Sequence, residues 1–262
     1  MKNFLEEMIR HKKEVLEREK KRLSLDRLLK LLDKPLPAAR FQEKIARRGI
    51  HLIAELKKAS PSSGVIAEDF DLMTIAAAYE KGGASCLSVL TADKYFLGNI
   101  SFLDKLRAGV HLPLLRKDFI IDAYQLYESK LHGADAVLLI VTILDENTIK
   151  HFLKINTELK LDTVLEVHNE DELKKALDSG AKTIGINTRN LIDFSVDLSI
   201  LPALLEKIPS GYFVVCESGI KTIDDLAAVK SPKVSAVLVG ETLMRAKDPA
   251  SKVREFVDYL ER

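Results

Sequence analysis

The chain has almost no cysteine: two in 262 residues, Cys86 and Cys216, each within an apolar run. That excludes a disulfide framework and any paired-cysteine metal motif, and it fits two buried, reduced thiols acting as small hydrophobes. A long hydrophobic stretch is also missing. No apolar run approaches the ~20 residues needed to span a bilayer, and the N-terminus is too charged for a signal peptide. Nor is there an excess of one sign of charge, since 40 Lys+Arg face 39 Asp+Glu for a formal +1. This balance argues against whole-surface attraction to nucleic acid or anionic lipid, so an anionic small molecule would have to be captured by a local basic pocket. No low-complexity segment or linker divides the chain. Together these absences predict a cytoplasmic protein with neither a nucleic-acid nor a membrane partner, and a monomer is favoured.

What is present is an ordinary soluble mixture, 47% hydrophobic and 30% charged, in a length near the ~250 residues of a one-domain α/β barrel. Eight apolar runs read as strands: His51–Leu56, Cys86–Thr91, Leu112–Arg116, Ala136–Val141, Thr163–Val167, Thr183–Asn187, Phe213–Cys216 and Ala236–Val239. Many show little polar alternation, as expected for parallel strands covered on both faces. Amphipathic stretches lie between them. Leu72–Lys81 is closed by Gly82-Gly83, Ala123–His132 by Gly133 and Glu170–Ser179 by Gly180, glycine being the residue that tolerates a left-handed helix end. Asp122, Thr222 and Asp248-Pro249 mark helix starts. Repeated β-then-α units favour a parallel sheet with right-handed crossovers, and eight of them predict one (β/α)8 TIM barrel over residues 1–262; a doubly wound open sheet is the rival.

Residues 1–48 fall outside the repeat and read as an N-terminal helical extension of the barrel. Its run from His11-Lys12-Lys13 to Lys20-Lys21-Arg22 is interleaved with Glu6, Glu7, Glu14, Glu17 and Glu19. Mixed signs of this kind predict a solvated helix face rather than a nucleic-acid surface.

In such a barrel the active site lies at the C-terminal ends of the strands. Those ends carry Glu55 and Lys57, Arg116 and Lys117, Glu166, Asn187 and Arg189, and Glu217 with Ser218. A strand's period of two puts Glu55 with Lys57, and Asn187 with Arg189, on one face. Charged groups converging on one mouth are costly unless paired or used. Two glycine turns, Glu217-Ser218-Gly219-Ile220 and Val239-Gly240-Glu241-Thr242, follow the last two strands, where barrel enzymes often hold phosphate. The polar loop Ser60-Pro61-Ser62-Ser63-Gly64 could close over the same anion, with Lys57 and Ser60 donating.

These segments resemble the indole-3-glycerol-phosphate synthase family. The resemblance rests on Ile53-Ala54-Glu55-Leu56-Lys57-Lys58-Ala59-Ser60-Pro61-Ser62, Leu87-Ser88-Val89-Leu90-Thr91 with Lys94-Tyr95-Phe96-Leu97-Gly98, and Leu115-Arg116-Lys117-Asp118-Phe119-Ile120. Gly185-Ile186-Asn187-Thr188-Arg189-Asn190-Leu191 and Glu217-Ser218-Gly219-Ile220 complete it, in order along the whole barrel. It implies a carboxy-lyase of tryptophan biosynthesis that closes, decarboxylates and dehydrates a carboxyphenylamino ribulose phosphate, with no metal or organic cofactor. By motif, Lys117 is similar to the family's general acid, and Glu166 and Glu55 to its acid/base carboxylates. Lys57 matches a partner in acid catalysis, Asn187 a polar orienter and Arg189 the carboxylate-contacting arginine. Ser60, Gly219, Gly240 and the Glu241 backbone N–H correspond to the phosphate grip, Glu217 and Ser218 to further substrate contacts, and Phe96, Phe119 and Leu191 to apolar packing for the aromatic ring. Two other readings stay open on the residues themselves: a Schiff-base aldolase with Lys117 as nucleophile, and a barrel kept only for binding.

Overall fold

The apolar runs need two covered faces, and a closed barrel supplies both. The computed structural model describes residues 4–33, 37–38 and 40–262; residues 1–3, 34–36 and 39 of the N-terminal extension lie outside this. Eight parallel strands, β1 (His51–Leu56), β2 (Cys86–Leu90), β3 (Leu114–Lys117), β4 (Ala136–Ile140), β5 (Asp162–Val167), β6 (Thr183–Asn187), β7 (Phe213–Glu217) and β8 (Ala236–Val239), bond in sequence order. β1 pairs with both β8 and β2, which closes the ring and rules out the open sheet. The third strand starts two residues later than its apolar run, because Pro113 has no N–H to give a ladder. It also runs one residue further, so Lys117 is held by strand geometry rather than by a loop.

Before the barrel come α1 (Phe4–Arg22), α2 (Leu25–Leu31) and α3 (Phe41–Ile45). Around it run α4 (Leu72–Gly82), α5 (Ser101–Arg107), α6 (Ala123–Leu131), α7 (Glu146–Glu158), α8 (Glu170–Ser179), α9 (Ile200–Lys207) and α10 (Ile223–Val229), and after β8 come the short α11 (Glu241–Met244) and α12 (Pro249–Leu260). Asp122 and Thr222 each close a capping box, and Asp248 caps α12 ahead of its N1 proline. One glycine does other work than expected. Gly82 is the last residue of α4, not its stop, and a Cβ there would come within 2.6 Å of Val253 Cβ, so its bare backbone lets α4 and α12 pack closely. Gly83, at φ 97°, ends the helix.

Apolar side chains fill two layers. Leu52, Ala54, Leu56, Leu87 and Val89 point outward to the helices, while Ile53, Cys86, Leu115, Ala136, Leu138, Val164, Val215 and Leu238 fill the barrel interior. α3 plugs the N-terminal end with Phe41 and Ile45, and Gln42 N–H donates to Asp162 at the start of β5.

The charged extension departs from the solvated-face expectation. Lys12 is 4% exposed, with its ammonium 2.7 Å from the buried Asp118 carboxylate just after β3. His11 meets Asp93, Lys20 meets Asp122, and Glu7 accepts from Lys94 and Tyr95, so one stripe of α1 is docked by charge onto the loops after β2 and β3. Periodicity shows which residues share a face; it cannot show that the facing surface carries complementary charge. Asp118 also accepts from Arg116 and Thr91. Burial raises its proton affinity, but Lys12 and Arg116 outweigh that and hold the carboxyl well below its usual range. Removing one member of a buried pair leaves the other uncompensated, softened here by Arg116, so Lys12→Ala is expected to cost about 2–3 kcal/mol, read from the urea midpoint at unchanged m-value.

Candidate active site

A cavity of about 610 Å³ opens at the C-terminal ends of the strands. Glu55, Lys57, Lys117, Glu166 and Asn187 line it, as do Ser60, Phe96, Phe119, Arg189, Leu191, Ser218, Gly219, Gly240 and Glu241. Glu217 does not. Fully buried at 0% exposure, it sits behind Lys117, where its Oε2 accepts from the ammonium at 2.5 Å, so it is packed against a cavity residue and not on the lining.

The charged groups form one connected set. Lys57 Nζ is 2.8 Å from Glu55 Oε2, and Lys117 Nζ is 3.6 Å from Glu166 Oε2. Burial favours neutral Glu55, but Lys57, Lys117 and Arg189 outweigh it and lower the proton affinity. Lys117 is pushed the other way. Burial alone would make it release its proton, yet Glu217, Glu166 and Glu55 hold the ammonium charged. Two adjacent carboxylates cannot ionise with equal ease, and the pair separates. Glu166 opens to the cavity and is held low, against its burial, by Lys117, His168 and Asn187. Glu217, buried deeper and beside Glu166, is raised to about 7.

Backbone choices make room for this set. A Cβ on Gly240 would lie 2.3 Å from Glu55 Oε2, and one on Gly185 would lie 2.2 Å from Glu217 Oε1. Each carboxylate therefore occupies space that only a glycine leaves free, Gly185 on the adjacent strand β6 and Gly240 just past the end of β8. Asn187 Oδ1 accepts from the Ser218 hydroxyl at 2.8 Å and from the Arg189 N–H at 3.1 Å, which turns its amide nitrogen toward Glu166.

The cavity has a polar and an apolar end. At the polar end the turns at Gly219 and Gly240 are tied by a hydrogen bond from Thr242 Oγ1 to Ile220 O at 3.1 Å. The Glu241 side chain is already engaged by the Ser63 hydroxyl, at 3.0 and 3.1 Å, and by Arg245 Nε at 2.8 Å. Ser60 Oγ accepts the Ser63 N–H at 3.2 Å, which seats the loop after β1 beside these turns. At the apolar end Phe96 and Phe119 are 6.2 Å apart between ring centres, with Leu191 nearby.

Sequence reasoning missed part of this wall. Phe4 of α1 lines the cavity and packs edge-on to Phe194 at 5.1 Å and Phe119 at 6.1 Å. Phe4 precedes the first strand by some 47 residues, and nothing local ties it to the mouth; the docking of α1, by its charged stripe and by the buried Leu5 and Met8, brings it there. Phe194, in the loop after β6, takes a left-handed φ of 62°, backbone strain of the kind that gathers at functional sites and that only the folded chain reveals. His168 was also missed. It stands two residues past Glu166 on the same face and contacts it.

Comparison with known proteins agrees with this geometry. Residues 5–256 match the family model "Indole-3-glycerol phosphate synthase". An indole-3-glycerol phosphate synthase from Alkaliphilus metalliredigens is 44% identical over 253 residues, covering 96% of this chain and 97% of that protein. One from Dehalococcoides mccartyi is 47% identical over 246 residues, covering 92% and 95%. Among solved structures, a KGPDC from Streptococcus mutans is similar at a TM-score of 0.64 and 18% identity, covering 82% of this chain and 99% of its own. A 3-hexulose-6-phosphate synthase from Salmonella typhimurium matches at 0.64 and 18%, covering 81% and 99%. At that identity the likeness shows the barrel alone. With the family model spanning nearly its whole length and relatives this similar along it, the chain belongs to the indole-3-glycerol phosphate synthase family of carboxy-lyases.

Proposed function

We propose that this chain converts 1-(2-carboxyphenylamino)-1-deoxyribulose 5-phosphate to indole-3-glycerol phosphate, CO2 and water, with Lys117 as general acid at the ketone. The observation that carries this reading is an ammonium held charged inside a cavity, between an apolar aromatic wall and a polar end built on two glycine turns. The phosphate is gripped at Ser60, Gly219, Gly240 and the Glu241 backbone, whose side chain is bonded elsewhere. The benzoate ring packs on Phe96, Phe119, Leu191 and Phe4, with its carboxylate toward Arg189.

The chemistry then follows from charge. The ring carbon bearing the carboxylate attacks the ketone carbon, and negative charge develops on the ketone oxygen. Lys117 stabilises that charge and gives up its proton. The new bond leaves the ring cationic at nitrogen, so the electron pair of the C–CO2 bond restores aromaticity as CO2 leaves. Water then departs from the former ketone carbon, which takes a second proton, supplied by Glu166 acting as an acid. A proton is lost from the neighbouring carbon to a carboxylate, Glu55, and the indole forms. Two protons are consumed and one is released, so each turnover takes up one proton from solvent.

The Schiff-base aldolase alternative fits less well. Lys117 is paired with Glu217 and held protonated, whereas an amine nucleophile must be free of its proton. The direct test is to mix the purified protein with the carboxyphenylamino sugar phosphate and follow indole fluorescence. The chain contains no tryptophan, so the background is low. Release of indole-3-glycerol phosphate supports the reading, and a borohydride-trapped adduct at Lys117 with no indole product would replace it. Gly240→Ala would drive a methyl against Glu55 and into the phosphate turn, and is expected to lower kcat/KM by about 10-fold or more, with kcat falling and KM rising together.

A further inference from the structure

Glu166 is tied to the surface by a chain of groups that bypasses the cavity. His168, at the end of β5, points Nε2 at Glu166 Oε1, 3.3 Å away. Its Nδ1 lies 3.0 Å from Glu172 Oε2 in the first turn of α8. Glu172 is fixed from three sides: by the His168 backbone N–H at 2.8 Å, by the Thr142 hydroxyl at 2.8 Å, and by its own N–H bonding to the Asn169 cap at 2.9 Å. Neither His168 nor Glu172 lines the cavity, and Thr142 is exposed.

The proton inventory of this chain is constrained. A carboxylate is acceptor-only, so Glu172 requires the hydrogen on Nδ1. A neutral ring would then aim the Nε2 lone pair at a second carboxylate, a repulsive arrangement. One proton must therefore sit between Nε2 and Glu166 Oε1. The buried Nε2 makes no full hydrogen bond in this structure, so the proton is carried by the ring across a loose contact instead of being locked in a short one.

We propose that His168 is the proton store of the site, a positioning residue that holds a proton on Nε2, passes it to Glu166 Oε1 for the departing hydroxyl, and regains one at Nε2 from solvent by way of Glu166 once product has left, while Glu172 and Thr142 keep Nδ1 protonated and the ring in place. This rests on the reading of Glu166 as an acid and deepens it by naming where its proton comes from. The step balances: the Nε2–H bond breaks as the Oε1–H bond forms. A half-turn of the carboxyl about its last bond, a soft two-fold torsion, presents the proton to the cavity. The carboxyl gives it to the hydroxyl oxygen as the C–O bond breaks and water leaves. The ring, neutral with its Nδ1–H still on Glu172, then regains one proton at Nε2 from solvent by way of Glu166 as the emptied cavity fills with water, the one that the overall reaction consumes.

The charged groups facing the ring are Glu166 from β5 and Glu172 from α8, with Lys117 of β3 beyond Glu166. Burial alone would make the ring release its proton, but hydrogen bonds to Glu166 and Glu172 and their charges push it up to about 10. A group raised in this way keeps its proton through neutral pH and loses it only as pH rises through that range. The store should therefore empty on the alkaline side and never on the acid side.

The test compares His168→Gln, Glu172→Gln and Glu166→Gln with the unaltered enzyme in kcat, KM and pH profile, and adds ¹⁵N NMR of the histidine ring. The expected result is a kcat about 10-fold lower in His168→Gln with KM within about 3-fold, and loss of the enzyme's alkaline limb. Glu172→Gln, which keeps a partner at Nδ1 but removes a charge, should shift that limb to lower pH. The NMR should find both ring nitrogens protonated at neutral pH. Normal kcat with an unmoved alkaline limb in His168→Gln, or a singly protonated ring at neutral pH, would overturn the proposal. If Glu166→Gln alone turns over at the normal rate, the acid role of Glu166 falls first. If Glu166→Gln is slow while His168→Gln is unaffected, only the store fails.

Discussion

Replacing Lys117 by alanine is expected to lower turnover by roughly 10³-fold, because one side chain supplies both the proton and the positive charge that meets the developing alkoxide. KM should move little, since the phosphate and the ring are held by other residues. The fold should survive, but with a changed pH dependence. Lys117 now compensates Glu166 and Glu217, which are 2% and 0% exposed. Without it, burial and repulsion from Glu166 raise the proton affinity of Glu217 in the folded state further above that in the unfolded chain, while Glu166 keeps His168 as a partner. The folded variant then binds more protons than the unfolded one, so its stability must fall as pH rises. Melting curves of Lys117→Ala should thus show a higher midpoint near pH 5 than near pH 8, a slope steeper than that of the parent. Near-parental turnover would remove the general-acid assignment, and a flat pH dependence would remove the account of why Glu217 lies so close to Lys117.

Glu166→Gln is the second large effect, with kcat expected to fall about 10²-fold and KM to stay within about 3-fold. Glutamine keeps the shape and the contact with Asn187 but can neither take a proton from His168 nor deliver one. The substitution also removes the charge that helps to raise Glu217, so the proton affinity of Glu217 should drop below its present value of about 7. An isotope-edited carboxyl signal for Glu217 would follow that shift directly. Unchanged kinetics would count against proton transfer by Glu166, whatever became of Glu217.

The two substitutions separate because the cavity divides its labour by depth. Lys117 and Glu166 line the cavity, and Glu217 and His168 stand behind them, each in contact with one of the pair from outside the lining. Such second partners fix how strongly the front residues hold their protons, and they do so from positions no substrate would touch.

Much of this was legible along the chain. The eight apolar runs, the glycine helix ends and the polar strand ends are local signals, and strand period alone puts Glu55 beside Lys57 and Asn187 beside Arg189. The sequence by itself thus determined the barrel and the groups at its mouth, because hydrogen-bonded strands and capped helices answer to short-range pattern. Tertiary structure decided the rest: that Glu217 lies behind Lys117, that Glu55 needs a glycine at position 240, and that Lys12 is buried on Asp118 while Phe4 reaches the mouth. These are pairings between residues a hundred or more positions apart, or between elements with no shared period. Charge complementarity and close approach across such distances exist only once the ring has closed.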